Sequence, residues 1–319
     1  MTTETRRPST PFSYFDGKIG FGRGALRVAA AAAVVASIAI VVGGGVVRVT
    51  GSGLGCPDWP NCSDGSLSPT AAMGIHAVVE FVNRLLTDAV CVMVGALIVV
   101  ARFQRRPQPQ VIRWAWVQFW IVVLNAVVGG LTVLARLNPY LVAAHFLAAT
   151  LLLAAAAVTW DLVDRSHNGE TRPAAAKGPR ERRLAWMLLA ATAGLSIVGT
   201  AVTGTGPHAG DSGDVPRMAF DWVVVTWIHA ALAGAVVVIV ALMWRSSSPG
   251  TDLRVRTAWM LLVLVAQVGV GVVQSVTGLP NAVIVVHMLC AALVFIGAVR
   301  VFLETSPRRG PAVTEMNQA

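Results

Sequence analysis

A chain of 319 residues that is 55% hydrophobic and only 13% charged, with mean hydropathy +0.67, has more apolar surface than a water-soluble domain can bury. Its formal charge of +9 invites a nucleic-acid reading, but the basic residues sit in separate short runs between apolar stretches, so no nucleic-acid partner is expected. The class that fits is an all-α integral membrane protein.

An apolar run of about 20 residues is long enough to cross a bilayer as a helix. Eight such runs are expected, at residues 27–47, 74–100, 111–134, 139–160, 184–202, 222–243, 258–276 and 281–301. The first follows a basic tail, residues 1–26. It is long, and Gly43–Gly45 lead into further ordered sequence with no small-residue cleavage site, so it reads as a span and not as a signal peptide. It closes on Val49-Thr-Gly-Ser-Gly53. The next loop carries Cys56-Pro-Asp-Trp-Pro-Asn-Cys62, short enough for the two sulfurs to meet if the compartment is oxidising.

The second span carries His76, Glu80 and Asn83 at i, i+4 and i+7, which share one helix face. Arg84 lies four residues from both Glu80 and Asp88, so an ion pair is open to each; for Asp88 the ion pair is the expected role. The third span holds Gly129–Gly130, and a tight Asn138-Pro139 turn leads to His145 in the fourth. A basic linker, residues 161–183, carries His167, expected to be solvated. The fifth span ends in Val202-Thr-Gly-Thr-Gly206, echoing the end of the first. His208 follows in a loop, where a structural or entrance role is expected. His229 lies in the sixth span, Gly271 in the seventh, and His287 in the eighth after the Pro280-Asn281 turn. Cys91 and Cys290 read as small apolar residues within spans. A last basic tail occupies residues 304–319.

The basic runs fall before the first span, after the last, and in every second loop. That is the positive-inside pattern, with both termini in the cytoplasm of a cell bounded by this membrane. Gly129 precedes His145 by the same interval as Gly271 precedes His287, and each half has an even number of spans. The expected architecture is therefore a parallel repeat: two pseudo-symmetric four-helix bundles, residues 27–160 and 184–303, with cofactors between facing helices.

Ionisable groups inside a bilayer are costly and default to function, and imidazoles at that depth suggest haem iron. At 1.5 Å per residue, His145 and His287 lie roughly 9 Å in from the outer ends of their spans and His229 about 10 Å. His229 and His287 therefore share a level and can ligate one iron. In the first half Glu80 is at the level of His145, and either His76 or Asn83 could face that histidine. Glu80 reads as a proton acceptor or as the ion-pair partner of Arg84. Arg84 is also suited to a haem propionate. Gly43–Gly45 and Gly129–Gly130 read as close helix packing.

At these residues the chain resembles the haem A synthase family of respiratory bacteria and mitochondria. The resemblance runs across residues 27–303. It rests on the stretch from Gly44 to Pro60, which reads GGVVRVTGSGLGCPDWP, on Glu80-Phe-Val-Asn83-Arg84, on Gly204-Thr-Gly206-Pro-His-Ala-Gly-Asp211, and on the histidines late in the chain. It implies oxidation of the C8 methyl of haem O to the formyl of haem A by successive hydroxylation and loss of water. It further implies a permanent haem b on His229 and His287, and a first half that receives haem O at His145, His76, Asn83 and Arg84, with Glu80 catalytic. The disulfide of that family's first outward loop matches Cys56 and Cys62. The family has a histidine where this chain has Asn83. A haem O synthase as donor, an electron acceptor of unstated identity, the lipid bilayer and a homo-oligomer are the implied partners. Two other readings are open on the residues alone: a two-haem membrane cytochrome b linked to quinone, and a haem transporter built from a parallel repeat.

Overall fold

The computed structural model describes residues 20–63, 65–167, 178–208 and 210–306. The first nineteen residues, residues 168–177 of the 161–183 linker and the tail from 307 onward lie outside the described residues. So does the side chain of His167. Eight long helices carry the fold: α1 (Arg23–Val49), α2 (Gly74–Arg102), α3 (Pro109–Leu134), α4 (Pro139–His167), α5 (Pro179–Thr205), α6 (Trp222–Ser246), α7 (Asp252–Val276) and α8 (Asn281–Thr305). A 3-10 turn, Ala71–Met73, precedes α2. Among the described residues there is no β-strand, only isolated bridges.

All eight helices are long and apolar enough to cross a membrane, so this is a multi-pass membrane protein. They are longer than the apolar runs. The shortest has 25 residues, about 38 Å at the α-helical rise, against a hydrocarbon core of roughly 30 Å. The excess lies mainly at the basic ends, where α4 continues past Trp160 and α7 begins at Asp252, ahead of its apolar run. Helix starts follow local chemistry. Proline, which has no N–H to lose, opens α3, α4 and α5. The Asn138 side chain accepts from the Tyr140 and Leu141 amides at the head of α4, and Asp221 accepts from Val224 at the head of α6.

The packed helix pairs come in matched sets. Within the first half α1 packs on α2, α2 on α3, α3 on α4 and α4 on α1. The second half has the same four pairings among α5 to α8. Between halves α4 meets α8, and α1 on α8 is matched by α5 on α4. Leu26, Ala30, Leu97, Ala115 and Val163 make a core in the first half; Leu188, Val240, Met243, Leu264 and Ala298 make one in the second. A further cluster joins the halves through Val41, Leu153, Ala157, Phe295 and Val299. In the second half the buried apolar residues lie toward the basic ends. The first buried residue of α6 is Val236, the last of α7 is Leu264 and the first of α8 is Ala292. The outer turns, where the histidines stand, are not part of that core.

The basic ends of α4, α7 and α8 are tied by charge. Asp161 accepts from Arg165 Nε at 2.6 Å and from Arg256 Nη1 at 2.7 Å, and Arg165 Nη2 donates to Glu304 at 3.0 Å. Asp161 and Glu304 are both buried. Burying these ions is tolerable only because each has several partners.

Candidate functional site

Three histidines stand on even-numbered helices, each facing a glycine on the preceding odd-numbered helix. A Cβ built on Gly129 of α3 would lie 3.0 Å from the His145 ring carbon Cε1. The same atom on Gly199 of α5 would lie 3.3 Å from Cε1 of His229, and on Gly271 of α7 it would lie 3.4 Å from Cε1 of His287. A Cβ at Gly129 or Gly199 would crowd the imidazole, whereas at Gly271 it would sit at ordinary van der Waals distance. Close helix packing, the expectation for Gly129, is therefore observed, and its object is the histidine.

His229 and His287 face each other with ring centroids 6.5 Å apart. Two metal–imidazole bonds of about 2 Å, each with the ring centre roughly 1 Å behind its nitrogen, span about 6 Å. The pair therefore fits one iron ligated from both sides. The Nδ1 atoms of His145, His229 and His287 are all buried without a hydrogen-bond partner. Among the described residues no group of three or more His, Cys, Asp or Glu side chains converges on a point, so the donors suit pairwise axial ligation and not a non-haem metal cage. Gln267, one turn before Gly271, brings its amide nitrogen to 3.1 Å from His287 Nε2. The sequence reading did not single out this residue. Its position one helical turn before the histidine-facing glycine was the available signal, shared with Asn125 before Gly129.

In the first half the loop between α1 and α2 folds over α2. Cys56 and Cys62 form a disulfide, as expected. The Cys56 amide donates to Glu80 Oε2 at 2.7 Å. Glu80 Oε1 accepts from Arg84 Nη2 at 2.7 Å and from its Nε at 3.2 Å. The rest of the Arg84 fork is spent on loop carbonyls: Nη1 on Pro60 and Asn61, Nη2 on Asp58 and Cys56. Glu80 is only 6% exposed. The expected Asp88–Arg84 ion pair does not form. Arg84 points up the helix into the loop, where a carboxylate and four carbonyls are offered together, and Asp88 is exposed.

The other sequence-predicted residues fall as follows. His76 hydrogen-bonds Ser52 Oγ through Nδ1 at 3.0 Å. Asn83 lies against α1, where a Cβ on Gly43 would come within 2.7 Å of its Oδ1. Trp59 of the same loop lies over α3, where a Cβ on Gly130 would come within 2.4 Å of the indole. His208 bonds Asn281 Oδ1 at 3.0 Å, tying its loop to the head of α8. The two halves also interlock. Gly53 donates to the Gly210 carbonyl at 2.7 Å, Leu54 to Asp211 Oδ2 at 3.2 Å, and Arg48 to the Thr203 carbonyl.

The family model described as cytochrome oxidase assembly protein (COX15-CtaA) matches residues 27–299. A protein named heme A synthase from Geobacillus thermodenitrificans is 33% identical over 113 residues, 35% of this chain and 34% of that protein. One of the same name from Geobacillus kaustophilus is 32% identical over 110 residues, 34% of this chain and 33% of that protein. A third, from Lysinibacillus sphaericus, is 31% identical over 122 residues, 38% and 39% of the two chains. The matched stretch thus spans about a third of the length of these relatives.

Proposed function

Because the chain belongs to the cytochrome oxidase assembly protein family (COX15-CtaA), we propose that it is a haem A synthase, an oxidoreductase that converts the C8 methyl of haem O to a formyl group. The observation that carries the reading is the unequal pair of sites on one plan. The second half has two imidazoles at the separation one iron needs. The first half has one such imidazole, His145 on α4, and on α2 a buried carboxylate, Glu80, pinned by a loop.

In this reading His229 and His287 hold a resident haem b, and His145 holds haem O as substrate. A haem b held there would supply a path for electrons from the substrate to an acceptor. Replacing the methyl hydrogens with oxygen from water releases protons and electrons in equal number, so the pocket needs a proton acceptor beside it. Glu80, six residues past the start of α2 as His145 is past the start of α4, is the acidic group assigned that task. Its two oxygens are held by the Cys56 amide and by Arg84, which fixes where it can take a proton. Arg84 anchors the loop, and His76, on Ser52 and near the outer end of α2, is placed to meet a propionate. The enzyme is assigned to the plasma membrane with both termini in the cytoplasm, receiving haem O from a haem O synthase.

The test is chromatography of haems extracted from membranes that make this protein beside a haem O source. Haem A or hydroxylated haem O should appear only with the protein. The Glu80→Gln variant should keep its haem b and stall at haem O or the alcohol. Full conversion by that variant would remove Glu80 from the chemistry, and haem O alone with the unaltered protein would favour a simple electron-transfer cytochrome.

A further inference from the structure

The glycine facing a functional side chain occurs four times, not three. Gly129, Gly199 and Gly271 face His145, His229 and His287. Gly43 of α1 faces Asn83 of α2 in the same way, odd-numbered helix to the next even-numbered one. Helix depth agrees. His145 and His287 are six residues past the first residue of their helices, and His229 is seven past the start of α6. Asn83 is nine past the start of α2 and His76 only two. Relative to the depth of His229, Asn83 is displaced by about 3 Å and His76 by about 7 Å at the α-helical rise. The ring of His76 faces no glycine: the Cβ position of Gly55 meets its backbone carbonyl and not its imidazole. Its Nδ1 is already committed to Ser52. Asn83 Oδ1, by contrast, is a buried oxygen with no hydrogen-bond partner.

We propose that Asn83 occupies the fourth axial position, facing the iron of the substrate haem opposite His145, so that this haem takes a single protein ligand. The inference rests on the haem A synthase reading and deepens it. A neutral carboxamide is a far weaker iron ligand than imidazole, but it can donate or accept one hydrogen bond at short range. The half with two imidazoles is thereby built to retain its haem. The half with one imidazole and a carboxamide is built to release its haem and to leave one iron face open to a small molecule.

The experiment uses the purified full-length protein carrying its own haem b, with hemin as the probe for the first half. Electron paramagnetic resonance reads the spin state of the ferric protein, and carbon monoxide binding is measured after reduction. The added hemin should give a high-spin signal lost in His145→Ala, and should bind carbon monoxide on reduction. Asn83→His should convert it to low spin and remove carbon monoxide binding. Asn83→Ala should keep the high-spin form, and His76→Ala, even where it weakens hemin affinity, should leave the bound hemin high-spin and able to take carbon monoxide. The low-spin haem b signal reports folding in every variant. A first-half hemin that depends on His145 yet is low-spin in the unaltered protein, or that turns high-spin only in His76→Ala, overturns the assignment of Asn83 and leaves the haem reading standing. Hemin that fails to bind the first half at all overturns the haem reading and the inference with it.

Discussion

The outer ends of α2 and α6 hold matched places in the two halves, and they are finished differently. Above α6 the chain turns back through an Asp221 cap, and no residue of the helix is buried before Val236. Above α2 a disulfide-closed loop lies on the helix, holds Glu80 by a backbone amide and is held in turn by Arg84. The scaffold beneath is shared, down to the glycine opposite each histidine. The difference teaches that, on the haem A synthase reading, a resident and a transient haem would not need different folds: one side chain at the position of Asn83 and one loop would separate them.

The most disruptive test of that contrast is Gly55→Ala. The new Cβ would lie 2.4 Å from the carbonyl oxygen of His76 and 2.5 Å from its carbon, and backbone atoms cannot swing aside as a side chain can. The loop must lift and take the Cys56 amide from Glu80. We expect loss of hemin binding in the first half with haem b content unchanged, measured by pyridine haemochrome. Equal loss from both halves would break the comparison.

Arg84→Met comes next. It leaves the buried Glu80 carboxylate and four loop carbonyls without their donor, and breaking a buried pair costs about 3 kcal/mol or more. Thermal unfolding in detergent should show a lower Tm. Combining it with Glu80→Gln should recover part of that loss, because the uncompensated charge is gone.

Smaller and graded effects are expected from Gly129→Ala, Gly199→Ala and Gly271→Ala. The Cβ contacts of 3.0, 3.3 and 3.4 Å predict that order of damage, with overpacking of about 1–3 kcal/mol at Gly129. Hemin affinity should fall most at Gly129, and haem b retention should fall only slightly at Gly271. An inverted order would mean that the glycines serve helix packing and not the imidazoles. The mildest change is Asp211→Ala, which removes one acceptor from Leu54 and Gly213, about 1 kcal/mol each. Faster amide exchange at those two residues would register it.

Much of this was legible in the sequence because membrane helices are written in long apolar runs, and tight turns such as Asn138-Pro139 and Pro280-Asn281 punctuate them. The pairing of His229 with His287 followed from equal depth alone. The position of Arg84 did not. Spacing allowed Glu80 and Asp88 equally, and what decided between them was a cluster of loop carbonyls that no helical periodicity encodes. Whether His76 or Asn83 stands opposite His145 was likewise open in the sequence, and the start of α2 at Gly74 and the contact of Asn83 with Gly43 are what favour Asn83 in the proposal. Asp161 and Glu304 were passed over because both lie beyond the ends of the apolar runs. The i, i+4 spacing of Asp161 and Arg165 was the clue that α4 continues, but their partner Arg256 comes from the other half of the chain.

The salt-bridge network at the inner face bears on how the protein is made. Asp161 and Arg165 leave the ribosome with α4, well before the helices that carry Arg256 and Glu304. Until α7 and α8 have entered the bilayer, Asp161 has Arg165 as its cation and lacks the second. The amino-terminal bundle is thus not a finished product in its own right, and a chain halted after α4 would present an incompletely paired acid at the membrane face. Completion of this network therefore waits on α7 and α8.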